Sequence, residues 1–135
     1  MWTWRPPVSG VVADTSVWID FLRGSSVPAL DEALRNSLAV LPPLVVAELI
    51  TGARLKNERK AIEHLIGRLS VHEAPLIHWI HVGELRRFLK DKGVSVSTPD
   101  SHVAQCALDR DAILLSRDSV FSHIARLTPL RVHAG

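Results

Sequence analysis

One cysteine, Cys106, stands in a chain of 135 residues. That excludes an internal disulfide framework and a Cys-rich zinc site, and makes a reducing compartment the natural setting. Aromatics are scarce at 5%, and tyrosine is missing. No sign of charge dominates: 16 Lys and Arg against 14 Asp and Glu leave a formal +2. Such a balance does not by itself indicate a nucleic-acid partner, although the pI of about 9.1 permits one. Long apolar runs are lacking as well. The most apolar stretch, residues 38–50, is broken by Pro42, Pro43 and Glu48, whereas a membrane span needs about 20 mostly apolar residues. The opening MWTWRPPVSG holds no apolar run of the kind a secretory leader uses. The expectation is a cytoplasmic protein without membrane association. With 47% hydrophobic and 22% charged residues the composition is globular. No repeat, linker or low-complexity segment divides it, so one domain is expected over 1–135, with residues 1–7 as an N-terminal extension.

What is present alternates in period. Val8 to Ala13 reads as a buried strand, followed by the capping residues Asp14, Thr15 and Ser16 and a short helix to Gly24. Pro28 to Asn36 has helical spacing, Leu38 to Leu41 reads as a strand, and Pro42-Pro43 opens a helix expected to reach about Lys56. Glu58 to Leu69 and Leu76 to Lys92 are amphipathic helices, the second stopped by Gly93, with a short strand over Val71 to Ala74 between them. Ser97 starts a helix that runs to Asp109. Ala112 to Leu115, Asp118 to Ala125 and Leu130 to His133 complete the pattern as strand, helix and strand. Strands separated by one or two helices predict an α/β fold in three layers. Its centre is a mostly parallel sheet of four to five strands flanked by helices, with ligands at the carboxyl ends of the strands.

Four acidic residues fall where that architecture places ligands. Asp14 and Asp118 follow apolar strands directly, and either one alone reads equally well as a helix cap. Asp100 lies in the first turn of its helix, yet shares a face with Val103, Ala104 and Ala107, which should point at the sheet. Glu48 interrupts an apolar helix beside Leu44, Gly52 and Leu55, without Lys or Arg at i±3 or i±4. It therefore needs a cation or a donor from elsewhere. Four carboxylates facing one crevice repel unless a divalent cation holds them. Hard oxygen donors select Mg²⁺ or Mn²⁺, and such a site acts on phosphoryl groups.

The residues carrying these acids form a familiar series. VADTSVWIDFLRG over 12–24, Val46-Ala47-Glu48-Leu49 with Gly52, Pro99-Asp100-Ser101-His102-Val103-Ala104, and Leu114 to Phe121 follow one another in order. Together they resemble PIN-domain ribonucleases, especially VapC-type toxins of bacterial toxin–antitoxin pairs. The resemblance spans about residues 8–133. It implies a PIN-like fold and a metal-dependent endoribonuclease. Asp14, Glu48, Asp100 and Asp118 would bind Mg²⁺ (or Mn²⁺) and Ser16 and Ser116 would support them. It further implies an RNA substrate, a homodimer and a cognate antitoxin whose tail lies in the active groove. In one respect the chain departs from the pattern: Val120 stands where relatives often carry a further aspartate.

Two other readings compete. The fold could serve as a non-catalytic binding module, since fold alone confers no chemistry. A phosphotransferase using Asp14 as nucleophile is disfavoured by Ser16, which stands where many such enzymes place a second acid. His78, His81 and Glu84 at helical spacing resemble half a zinc site but read better as a polar helix face. His102 is expected on a helix surface and Cys106 in the core. Arg54, Lys56, Arg59 and Lys60 form one basic cluster and Arg86, Arg87, Lys90 and Lys92 another. Both suit solvated helix ends, and either could meet RNA phosphates. Trp2 and Trp4 lie outside the motifs.

Overall fold

A computed structural model describes residues 10–135. Twelve elements succeed one another: β1 (Val11–Ala13), α1 (Thr15–Leu22), α2 (Pro28–Arg35), β2 (Ala39–Leu41), α3 (Pro43–Gly52), α4 (Lys56–Ile66), β3 (Ser70–Val71), α5 (Leu76–Asp91), α6 (Thr98–Arg110), β4 (Ile113–Leu115), α7 (Ser119–Leu127) and β5 (Arg131–His133). The strands form a single sheet in the order β3-β2-β1-β4-β5, and every pairing is parallel. Parallel strands need crossover helices, which cover both faces and leave the central strands dry. Accordingly Val11, Val12, Ala13, Leu41, Leu114 and Leu115 are fully buried.

Gly10 sets the register of the first strand. Its φ of +130° lies where side chains rarely go, and a Cβ there would stand 3.1 Å from the carbonyl oxygen of Leu38. That close approach lets Val11 N–H donate to the same carbonyl at 2.7 Å. The expected start of this strand at Val8, the expected extension 1–7, and Trp2 and Trp4 lie outside the described residues.

Expectation and structure part in three places. The third helix stops at Gly52 rather than near Lys56, because Ala53 turns extended (ψ 104°) and Leu55 caps a separate α4. The third strand occupies Ser70–Val71 rather than Val71 to Ala74. It is an exposed edge strand, held to β2 through Val40 and Leu41, and His72 N–H still donates to the Leu41 carbonyl at 2.8 Å. Finally, His102 is fully buried rather than at the surface. Its helix α6 lies against both the sheet and α5, so it has little solvent-facing surface near its middle. Cys106 is buried on the same helix as expected. Among the described residues no helix is long and apolar enough to cross a membrane.

Candidate active site

Strand order reverses direction between β1 and β4, and a crevice opens at the carboxyl ends on either side of such a switch point. Ala13 pairs with Leu115 at that end. The chain leaves β1 through Asp14 and leaves β4 through Ser116, which brings these two residues together from opposite ends of the sequence. Asp14 is the N-cap of α1, and its Oδ1 accepts from Val17 N–H at 3.0 Å and from the Ser16 hydroxyl at 2.8 Å. The Ser116 hydroxyl donates to Oδ2. Asp118 N–H donates to Ser116 Oγ at 3.1 Å, so Ser116 links both acids. Asp118 is exposed and caps α7 through Val120 N–H at 3.0 Å. Both aspartates are therefore helix caps, and capping leaves them at the carboxyl end of the sheet, where the sequence reading expected site residues.

Asp100 arrives from the other direction. A helix that precedes a parallel strand runs antiparallel to it, so the N-terminus of α6 reaches the carboxyl edge where β4 ends. Ser97 caps that helix, its hydroxyl accepting from Asp100 N–H at 3.2 Å. The Asp100 carboxyl is raised above its ordinary value. Partial burial is the main cause, a hydrogen bond with the Ser97 side chain opposes it, and the negative charges of Asp118, Asp14 and Glu48 raise it further. All four sequence-selected acids therefore share one field.

Glu48 differs from expectation in its surroundings. It is exposed on the second turn of α3, beyond the apolar stripe, and its Oε1 accepts from the Thr15 hydroxyl at 2.9 Å. Thr15 is the donor that sequence reasoning missed; its only signal is adjacency to Asp14. Val120 is half-buried against the core, where it offers no ligand.

The donor chemistry fits a hard divalent cation: carboxylate oxygens only, whose negative charges add to burial in raising one of them. Among the described residues, the side chains grouped closely enough to share an ion are not these carboxylates but His72, His78 and Cys106, elsewhere in the molecule. The polar helix face expected of His78, His81 and Glu84 is realised only by the last two. His78 is buried against α6, while His81 and Glu84 border a shallow depression with Phe88 and Gln105.

Two grooves flank the acids. An apolar cleft of about 480 Å³ lies between α1, α3 and α4, lined by Ile19, Leu22, Leu49 and Ile62, with Arg23 and Glu48 also on its wall. A polar groove of about 520 Å³ is lined by Arg86, Arg87 and Lys90 and reaches Ser97, the cap of the Asp100 helix.

Comparison with known proteins agrees with this fold. The chain is 28% identical over 129 residues to the VapC ribonuclease Mb1587 of Mycobacterium bovis, covering 90% of this chain and 96% of that protein. The same figures, 28%, 90% and 96%, hold for ribonuclease VapC11 of Mycobacterium tuberculosis. Its fold is similar to DNA-bound VapBC from Salmonella typhimurium, with a TM-score of 0.76, 22% identity, and coverage of 92% of this chain and 96% of that one. It is likewise similar to VapBC-1 from nontypeable Haemophilus influenzae, at a TM-score of 0.70, 24% identity, and coverage of 91% and 96%. The family model for the PIN domain matches residues 11–127. The chain belongs to the PIN domain family.

Proposed function

We propose that this protein is a divalent-metal-dependent endoribonuclease, the toxin of a toxin–antitoxin pair that hydrolyses RNA phosphodiester bonds. The observation that carries the reading is the convergence of Asp14, Glu48 and Asp118 on Asp100 at the switch point of the sheet. The similarity to proteins named as VapC ribonucleases supports the substrate class, and similarity to VapBC structures supports an antitoxin partner.

In this mechanism Asp14, Asp100 and Asp118 would hold Mg²⁺, for which Mn²⁺ could substitute, because their donors are hard carboxylate oxygens. When bound, the cation supplies a water of lowered pKa and offsets charge on the scissile phosphate. Ser16 and Ser116 keep the Asp14 carboxylate in place. Thr15 holds Oε1 of Glu48, which leaves Oε2 to orient the attacking water and accept its proton. Arg86, Arg87 and Lys90 carry the RNA backbone toward Ser97 and Asp100. The apolar cleft beside Glu48, with Arg23 on its wall, is the groove in which the antitoxin tail would lie. Leu76, Ile77 and Ile80, 76%, 54% and 45% exposed on α5, are covered in a homodimer. An RNA substrate and a toxin's role place the protein in the cytoplasm.

The test is cleavage of a tRNA and rRNA panel by antitoxin-free protein, with Mg²⁺, Mn²⁺ or EDTA. Asp14→Asn and Asp100→Asn are run in parallel. Cutting should require the metal and fall by about 100-fold or more in each variant, the scale on which loss of a charge-stabilising group acts. Equal cutting by wild type and variants would overturn the assignment. A folded protein that neither cuts nor binds Mg²⁺ would instead be a binding module.

A further inference from the structure

A second group of chemistry-bearing side chains lies apart from the acids, where the end of β3 meets α5 and α6. His72 follows β3, His78 stands in the first turn of α5, and His102 and Cys106 lie one turn apart on α6. All four are buried, at 8%, 2%, 0% and 0% exposure. One ligand atom each from His72, His78 and Cys106 lies within 4.8 Å of the others. A tetrahedral zinc ion, with Zn–N of ~2.0 Å and Zn–S of ~2.3 Å, needs donor spacings of about 3.3–3.6 Å. Ligation therefore requires the three side chains to draw closer together.

The surroundings already resemble a metal site's outer shell. Asp109 Oδ2 lies 3.2 Å from His78 Nδ1 and 3.7 Å from His72 Nε2. A single carboxylate thus orients both rings, the arrangement that fixes metal-bound imidazoles. His102 Nδ1 lies 2.7 Å from His78 Nε2, and the Trp79 ring stacks on His102 at 4.7 Å. Arg110 Nε donates to His72 Nδ1 at 2.8 Å, so a cation is already stationed beside that ring. Arg110 is half-buried, and a metal ion on His72 Nδ1 would have to displace it. Burial lowers the His72 pKa, brings His102 down to about 4 and pushes the Cys106 thiol up to about 12. Ligation needs neutral imidazoles and a thiolate, so the Cys106 thiol would release its proton to solvent on coordination.

We propose that His72, His78 and Cys106 form a transition-metal site that takes Zn²⁺, with Asp109 as its orienting carboxylate and His102 beside the fourth position. The site clamps the β3 end and α5 to α6, the helix that carries Asp100. Through His102 it also reaches α3, which carries Glu48, because Leu44 N–H donates to His102 Nε2 at 3.4 Å. The competing account is a closed hydrogen-bond network with no ion. In it His78 donates to Asp109, His72 accepts from Arg110, and His102 donates to His78.

Cobalt separates the two. Full-length protein, stripped with chelator, is titrated with Co²⁺ and then Zn²⁺. One equivalent of Co²⁺ should give tetrahedral d–d bands and a thiolate-to-cobalt charge-transfer band, both erased by Zn²⁺. Cys106→Ser should lose the charge-transfer band, and chelator competition should show Zn²⁺ affinity falling by about 100-fold or more. Asp109→Asn should weaken Zn²⁺ binding by about 10–100-fold while the fold, read by circular dichroism, persists. The Asp14→Asn, Asp100→Asn double variant should keep both bands, because the acidic pocket offers cobalt only oxygen. No charge-transfer band in the folded wild type, or a band unchanged in Cys106→Ser, would overturn the site. Should Cys106→Ser fail to fold, His72→Gln at the cluster's edge should lower Zn²⁺ affinity by about 100-fold, and an unchanged affinity would overturn the site.

Discussion

Asp14 carries two structural duties on one carboxylate. Oδ1 caps α1 and Oδ2 receives Ser116 from the neighbouring strand end. Ser116→Ala removes a hydrogen bond to a charged group and strands Asp118 N–H, so urea melts should show a loss of about 1.5–3 kcal/mol. Asp100 gives the opposite sign. Its carboxyl is raised in the folded state, so its contribution favours folding at low pH and is lost as pH rises through the folded value. Asp100→Asn should therefore raise the melting temperature by a few degrees at neutral pH while removing cleavage. A lower melting temperature would mean that the acids do not repel. His102 is depressed by burial, then by the charges of His78 and His72, from 6.5 to about 4. The unfolded chain takes up that proton first, so stability is full above pH 6.5 and declines as pH falls toward about 4. In chelator-treated protein, His102→Gln should flatten this slope; an unchanged slope would assign the acid sensitivity to other groups.

At the scale of elements, local signals explain most boundaries. Capping side chains start α1, α6 and α7, and Pro28 and Pro43 open α2 and α3. The breaks that were not legible are those set by neighbours. Residues 53–55 have no strong helix breaker, yet the chain turns there because α3 and α4 must pack side by side. Ser70–Val71 is paired only because β2 offers an open edge. Gly10 shows the converse, a residue whose lack of a side chain fixes an element. Gly10→Ala combines an unfavourable φ with a Cβ 3.1 Å from the Leu38 oxygen. It should cost about 1–3 kcal/mol in chemical denaturation, and a neutral result would show that β1 can shift away from Leu38.

For the molecule as a whole, charge is distributed rather than abundant. A formal +2 hides an acidic crevice and a basic groove that meet at Ser97. If that groove carries single-stranded RNA, the Arg87→Gln, Lys90→Gln double variant should lower the salt slope of binding by about 1.4, at ~0.7 per phosphate contact. The measurement uses Asp14→Asn protein as background so that substrate survives; an unchanged slope would place the RNA elsewhere. Exposed Leu76, Ile77 and Ile80 belong to the same scale, since they have meaning only against a second surface.

The sequence by itself determined the alternation of strand and helix, hence the parallel sheet, and the identity of the four acids, because period, capping chemistry and apolar strand ends are local properties. It also determined the resemblance to PIN-domain ribonucleases, since the motifs are contiguous. Only the tertiary structure decided what each acid faces. Glu48 found Thr15 rather than a distant cation because α1 packs on α3. His102 left the expected surface because α5 covers α6, which turned scattered histidines and the lone Cys106 into one cluster. Contacts between residues 24 to 102 positions apart carry no periodic signal in the chain; they exist only once the layers close.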